Sequence, residues 1–104
     1  MQRHAFKMHL NSGMQAEYKK RHDEIWPELE LLLKHAGISN YSIYLDQDTG
    51  ILFGYLERTD SHRMDDLPNH PVMKKWWNYM QDIMAYNADG TPVAIAMEEM
   101  FYME

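Results

Sequence analysis

The apolar residues of this chain switch between two periods in a fixed order, and that order restricts the fold more than any other feature. Phe6, Met8 and Leu10 alternate with Ala5, Lys7 and His9, the two-residue period of a strand. Asn11-Ser12-Gly13 breaks the pattern and offers helix-capping oxygens. From about Met14 the spacing is helical, with Met14, Tyr18 and Arg21 or His22 on one face. Pro27 has no N–H and cannot sit deep in a helix, but it suits the first residue of a new one. Glu28 and Glu30 then complement the positive end, Leu29, Leu32 and Leu33 form a buried stripe, and Gly37 is a stop. The segment reads as one long helical arm bent near Ile25-Trp26-Pro27.

Alternation resumes from Asn40 to Leu45, where Tyr41, Ile43 and Leu45 share one face. Asp46-Gln47-Asp48-Thr49-Gly50 is a hairpin turn, and Ile51 to Glu57 is the returning strand. Gly54 in its middle marks a close approach by another group. After a polar segment punctuated by Pro68 and Pro71, a second main helix is predicted from about Val72 to Met84. Its seam would be Met73, Trp77, Met80 and Met84, with Trp76, Tyr79 and Ile83 beside it. Residues from Ala94 to Tyr102 would be the last strand.

The order is βαββαβ. It predicts a single α+β domain over residues 1–104: a ferredoxin-like, four-stranded antiparallel sheet with both helices on one face. The other sheet face carries apolar and aromatic residues, so a second copy is expected against it, face to face, as a dimeric α/β barrel.

Several function classes are excluded. Lys and Arg number 10 against 16 Asp and Glu, a net charge of −6, so a phosphate backbone is a poor partner. No run approaches the ~20 apolar residues of a membrane span, and Met1 to Lys7 has no apolar signal core. The chain has no cysteine, which removes disulfides and thiol chemistry and fits a reducing cytoplasm. No His pair has helical metal-ligand spacing with a nearby carboxylate, so no metal is expected. No serine stands in a nucleophile elbow, and no glycine-rich phosphate loop is present.

The residues that could carry chemistry are aromatic and imidazole. Tyr18 and His22 lie four apart on a helix, so their side chains meet, and His is suited to proton transfer near neutral pH. Spacing alone favours a surface His beside a half-buried Tyr. His22 and Trp26 are also four apart, at the bend. Trp76-Trp77 are adjacent and diverge by about 100°. Trp77 fits the seam, which leaves Trp76 free to line a cleft, although two core indoles would satisfy the same pattern. These residues admit a cofactor-free proton-transfer enzyme, an oxygenase of aromatic substrates on the same fold, or a binding module.

The combined motifs resemble the L-rhamnose mutarotase family over essentially the whole chain. They are Glu17-Tyr18 with Arg21-His22, Ile25-Trp26-Pro27-Glu28-Leu29, Asn40-Tyr41 with Ile43-Tyr44-Leu45-Asp46, Trp76-Trp77 with Tyr79-Met80 and Asp82, and Phe101-Tyr102. The resemblance implies a cytoplasmic homodimer without a cofactor that interconverts the α and β anomers of L-rhamnose in rhamnose catabolism. It further implies His22 as the acid, with Tyr18, Tyr41, Trp76 and Trp77 around the sugar. A mutarotase for another 6-deoxy sugar such as L-fucose is the nearest alternative.

Overall fold

Gln2–His9 forms the first strand, β1, and every other strand is placed by reference to it. The structure is a computed structural model describing residues 1–104. After β1 come helices α1 (Gln15–Asp23) and α2 (Pro27–His35), then strands β2 (Ile38–Asp46) and β3 (Ile51–Arg58). A 3-10 turn over Met64–Asn69 leads into α3 (Pro71–Met80), and β4 is the short Ile95–Ala96. The sheet order is β2-β3-β1-β4 with every pair antiparallel, the order that a split βαβ arrangement requires.

The helical arm is two helices. Trp26 caps α2 in an extended conformation (φ −64°, ψ 131°), as the residue before a proline must be, and Pro27 opens the new helix. Gly37 adopts φ 91° beyond α2, a left-handed stop that glycine supplies without a Cβ clash.

The core lies between one sheet face and the helices. Phe6, Met8, Leu52 and Leu56 come from the sheet, and Leu29, Met73, Trp76 and Met80 from α2 and α3. Gly54 pairs with Phe6 across the strands, and a methyl group there would run into the Phe6 ring. The close approach expected at Gly54 is therefore made by this ring.

Three expectations are corrected. The α3 seam is Met73, Trp76 and Met80, with Ile83 buried just beyond, and Trp77 is only half-buried. The helix stops at Met80 rather than Met84, because the following backbone is captured by the end of β1. The Asn11 N–H donates to the Ile83 carbonyl at 2.9 Å, Leu10 pairs with Met84, and the Ala85 N–H donates to the His9 carbonyl at 2.9 Å. The last strand covers only Ile95–Ala96 of the expected Ala94–Tyr102. Beyond it the chain is held to β1 mainly by side chains: Arg3 pairs with Glu99 at 2.7 Å and lies 3.4 Å over the Tyr102 ring.

Candidate active site

Helix α1 supplies the imidazole. Tyr18 and His22, one turn apart, stack at 4.3 Å with 27° between their rings. The Tyr18 carbonyl can only accept, so the Nδ1–H of His22 donates to it, at 3.1 Å. That bond fixes the tautomer: in the neutral ring Nε2 carries the free lone pair. Burial lowers the His22 pKa below 6.5, against the opposing pull of the Tyr18 carbonyl and Asp23. Burial raises the Tyr18 phenol well above its usual 10, aided by the Tyr41 and Tyr86 phenols, so Tyr18 stays protonated and is a hydrogen-bond donor.

Helix α3 and the residue before Pro27 complete an aromatic row. Trp76 stands edge-on to His22 at 5.4 Å and to Trp26 at 5.1 Å, and Trp26 stacks on Tyr79 at 5.6 Å. Trp26 reaches this position because the Pro27 break turns it back toward α3.

Arg21 fastens the row from outside. Its guanidinium pairs with Asp82 at 2.8 and 3.2 Å, donates to the Tyr79 carbonyl at 2.7 Å and to Glu17 at 2.9 Å, and lies over the Tyr79 ring. These partners keep Arg21 charged and hold the Asp82 carboxyl below its usual range. The pair locks α1 to the end of α3 and so sets where His22 meets Trp76.

Tyr41 enters from the sheet by a backbone irregularity. The β2–β3 register shifts between Ser39 and Ser42, and Asn40 within the shift takes φ 48°. Such a bulge re-aims a side chain, and Asn tolerates the left-handed conformation better than other non-glycine residues. The Asn40 amide donates to Glu57 on β3 at 3.1 Å, which anchors the bulge. The Tyr41 ring meets Phe6 edge-on at 6.1 Å. The residue is 40% exposed, and the burial of the remainder pushes its phenol up to about 12.

Of the five residues singled out from sequence, Tyr18, His22 and Trp76 are in direct contact. Tyr41 makes its ring contact with Phe6 rather than with these three. Trp77 packs partly against the core and makes no ring contact with the row. The sequence reading missed the Arg21–Asp82 clamp and the contact of Phe6 with Tyr41. Only the Glu17–Arg21 half of the clamp had a visible signal, its spacing of four. No group of three or more His, Asp or Glu side chains stands close enough to hold a metal ion. No helix is long and apolar enough to cross a membrane.

The arrangement offers one titratable imidazole among neutral phenols and indole faces. It can move a proton while an amphipathic ring, apolar on its C–H faces and polar at its edge, is held against it.

Comparison with known proteins follows the same direction. A family model described as L-rhamnose mutarotase matches residues 3–103. An L-rhamnose mutarotase of Sinorhizobium fredii is 59% identical over 103 residues, covering 99% of each chain. One of Rhizobium meliloti is 55% identical over 104 residues, covering 100% of each. The crystal structure of an L-rhamnose mutarotase from Formosa agariphila superposes with a TM-score of 0.93 at 49% identity, covering 100% of each chain.

Proposed function

The chain belongs to the L-rhamnose mutarotase family, and from that premise we propose that it interconverts the α and β anomers of L-rhamnose with His22 as the proton-transfer group. The full-length family match carries the activity. The half-buried imidazole, with Nδ1 fixed on a carbonyl and Nε2 left for chemistry, supports the mechanism.

Mutarotation opens a cyclic hemiacetal and recloses it on the other face. Protonated His22 gives its Nε2 proton to the ring oxygen, and the bond from that oxygen to the anomeric carbon breaks. The anomeric hydroxyl then returns a proton to Nε2 as it becomes the aldehyde. His22 ends as it began, and one proton has moved between two oxygens on the same carbon. Rotation about the bond between the anomeric carbon and its neighbour presents the other carbonyl face, and the same steps reverse. Nothing is oxidised or transferred to a second substrate, so the reaction requires no cofactor. Tyr18 and Tyr41, kept protonated, would donate to sugar oxygens. The half-buried Trp77 would offer its flank to the apolar sugar face, with the buried Trp76 backing His22 from behind. The methyl group of a 6-deoxyhexose suits such a wall, and apolar contact rejects an added hydroxyl by only roughly 10²-fold.

The test is exchange NMR on the anomeric protons of L-rhamnose. Catalytic amounts of protein should transfer magnetisation between the α and β signals faster than buffer does. Because protonated His22 is the acid, kcat/KM should decline as pH rises through its depressed pKa. Stability should move the other way. The folded pKa of His22 lies below the unfolded value of about 6.5, so below that pH the unfolded chain binds more protons and stability falls as pH is lowered. His4, lowered by burial and by Arg58 and His62, adds in the same direction. A kcat/KM independent of pH between about 5 and 8 would remove His22 as the titrating acid.

A second copy of this chain is the natural cover for the open sheet face. Tyr44, Phe53 and Lys7 are register partners there with Ile95, and Tyr44 is 70% exposed. Tyr44, Phe53 and Ile95, all exposed, line up across this face, and a second copy would cover them. Sedimentation at micromolar concentration should return twice the 12.4 kDa chain mass, and a monomer would overturn the homodimer. As an enzyme of rhamnose catabolism the protein would work in the cytoplasm, a compartment compatible with a chain that has no cysteine.

A further inference from the structure

Helix α1 carries the imidazole, yet little within the helix itself holds it in place. It is nine residues long, buries only Tyr18, and has no side chain capping its first turn. Helices shorter than about 12–15 residues are marginal by themselves and depend on tertiary contacts for their position. The side-chain hydrogen bonds that tie α1 to a distant part of the chain all come from Arg21.

The Arg21 side chain is only 10% exposed, against 68% for Asp82 and 43% for Glu17. Its Nη1 serves both Asp82 and the Tyr79 carbonyl, its Nη2 serves Asp82, and its Nε serves Glu17. The Tyr79 carbonyl is among the last of α3, where such groups lack an intrahelical partner. The last turn of α3 has no basic residue of its own, and Arg21 brings one from another helix. Consecutive residues of α1 therefore address α3 one turn apart. His22 meets Trp76, and Arg21 meets the ring and carbonyl of Tyr79, three residues on. Two contacts a turn apart fix how one helix is rotated against another, which a single ring contact does not. Ion pairs with such exposed partners add little stability, so what Arg21 supplies is chiefly orientation.

We propose that Arg21 is a positioning residue of the reaction: by pinning α1 to the end of α3 it holds the His22 imidazole where Nε2 reaches the ring oxygen of the sugar. The inference rests on the mutarotase reading and deepens it. Arg21 acts through His22 and does not touch the sugar. A general acid must stand within about 2.6–3.2 Å of the oxygen it protonates, and a misplacement of about 1 Å can cost about 10²-fold. Lysine is no substitute here. One ammonium on a flexible stem cannot serve Asp82 through two nitrogens together with the Tyr79 carbonyl and Glu17, as the planar guanidinium does.

Arg21→Lys tests this, since it keeps the charge and loses the fork. Exchange NMR over a range of L-rhamnose concentrations, at a temperature where both proteins are folded, separates kcat from KM. The expected result is a kcat lowered about 10-fold with KM within about twofold. The ring-proton signals of His22 should move as well, because the imidazole shifts against the Tyr18 and Trp76 rings. Asp82→Asn, at an exposed position that threatens the fold little, should lower kcat about 3-fold in the same way, and it decides the matter if Arg21→Lys does not fold. Lys19→Ala removes an exposed pair with Asp23 on the same helix and should leave kcat unchanged. Wild-type kcat in the folded variants overturns the proposal. So does a KM that rises at constant kcat, which would make Arg21 a sugar contact, and so do unmoved His22 signals beside a lowered kcat. A Lys19→Ala protein as slow as Arg21→Lys would trace the loss to helix strength and overturn it too. A wild-type protein that does not exchange L-rhamnose anomers would bring down the mutarotase reading itself, and this inference with it. An active wild type with unaffected variants overturns this inference alone.

Discussion

His22→Ala should lose about 10²- to 10⁴-fold of the catalysed anomer exchange while the protein stays folded, the range that one positioned acid–base group contributes. The loss belongs in kcat, because the imidazole acts on the ring oxygen and not on the bulk of the sugar. His22 has no salt bridge, and its one hydrogen bond is to the carbonyl of its own helix, so its removal costs the fold little beyond the Tyr18 stack and the Trp76 edge. L-rhamnose should still raise the thermal midpoint of the variant. His22→Gln sharpens the result, since a glutamine amide can donate but cannot titrate, and it should be as slow as the alanine variant with a flat pH profile. Exchange NMR with a parallel melt checks both, and wild-type exchange in a folded His22→Ala protein would end the acid assignment.

Trp76→Ala should be the most destabilising single change in the aromatic row. Trp76 is 5% exposed and touches His22, Trp26 and Tyr79. Truncating a buried Trp costs about 3–5 kcal/mol, against a total stability of about 5–15 kcal/mol for a domain. The midpoint should fall by roughly 15 °C or more, since 1 kcal/mol moves it about 4–8 °C at this size. Trp77→Ala should cost clearly less, because that ring is half-exposed and belongs to no aromatic contact of the row. Thermal unfolding followed by circular dichroism compares the two. A more damaging Trp77→Ala would mean that Trp77, and not Trp76, is the indole that packs in the core. Trp76→Phe retains an aromatic edge against His22 and should recover much of the lost stability.

The two tryptophans also show where sequence reading reached its limit. Met73, Trp77, Met80 and Met84 satisfy helical spacing, and so do Met73, Trp76, Met80 and Ile83. The choice between them depends on where the helix ends. Once the backbone after Met80 bonds to the end of β1, Met84 leaves the helix, and its support for the Trp77 phase disappears. The last strand failed for a related reason. Ala94 to Tyr102 has residues fit for pairing, but β1 offers a ladder only to Ile95 and Ala96 before the Arg3–Glu99 and Arg3–Tyr102 contacts carry the chain onward.

Local sequence pattern is enough for the order and kind of the elements, the break at Pro27, and the meeting of Tyr18 with His22 on one helix. Each follows from contacts between residues close along the chain, where backbone geometry leaves few choices. The tertiary packing settled which indole faces His22, how the Asn40 bulge aims Tyr41, that Arg21 reaches Asp82, and that the Tyr86 hydroxyl is buried without a partner. Those contacts join separate elements. They are set by helix phase, strand register and the packing of side chains from distant segments, none of which a local period records.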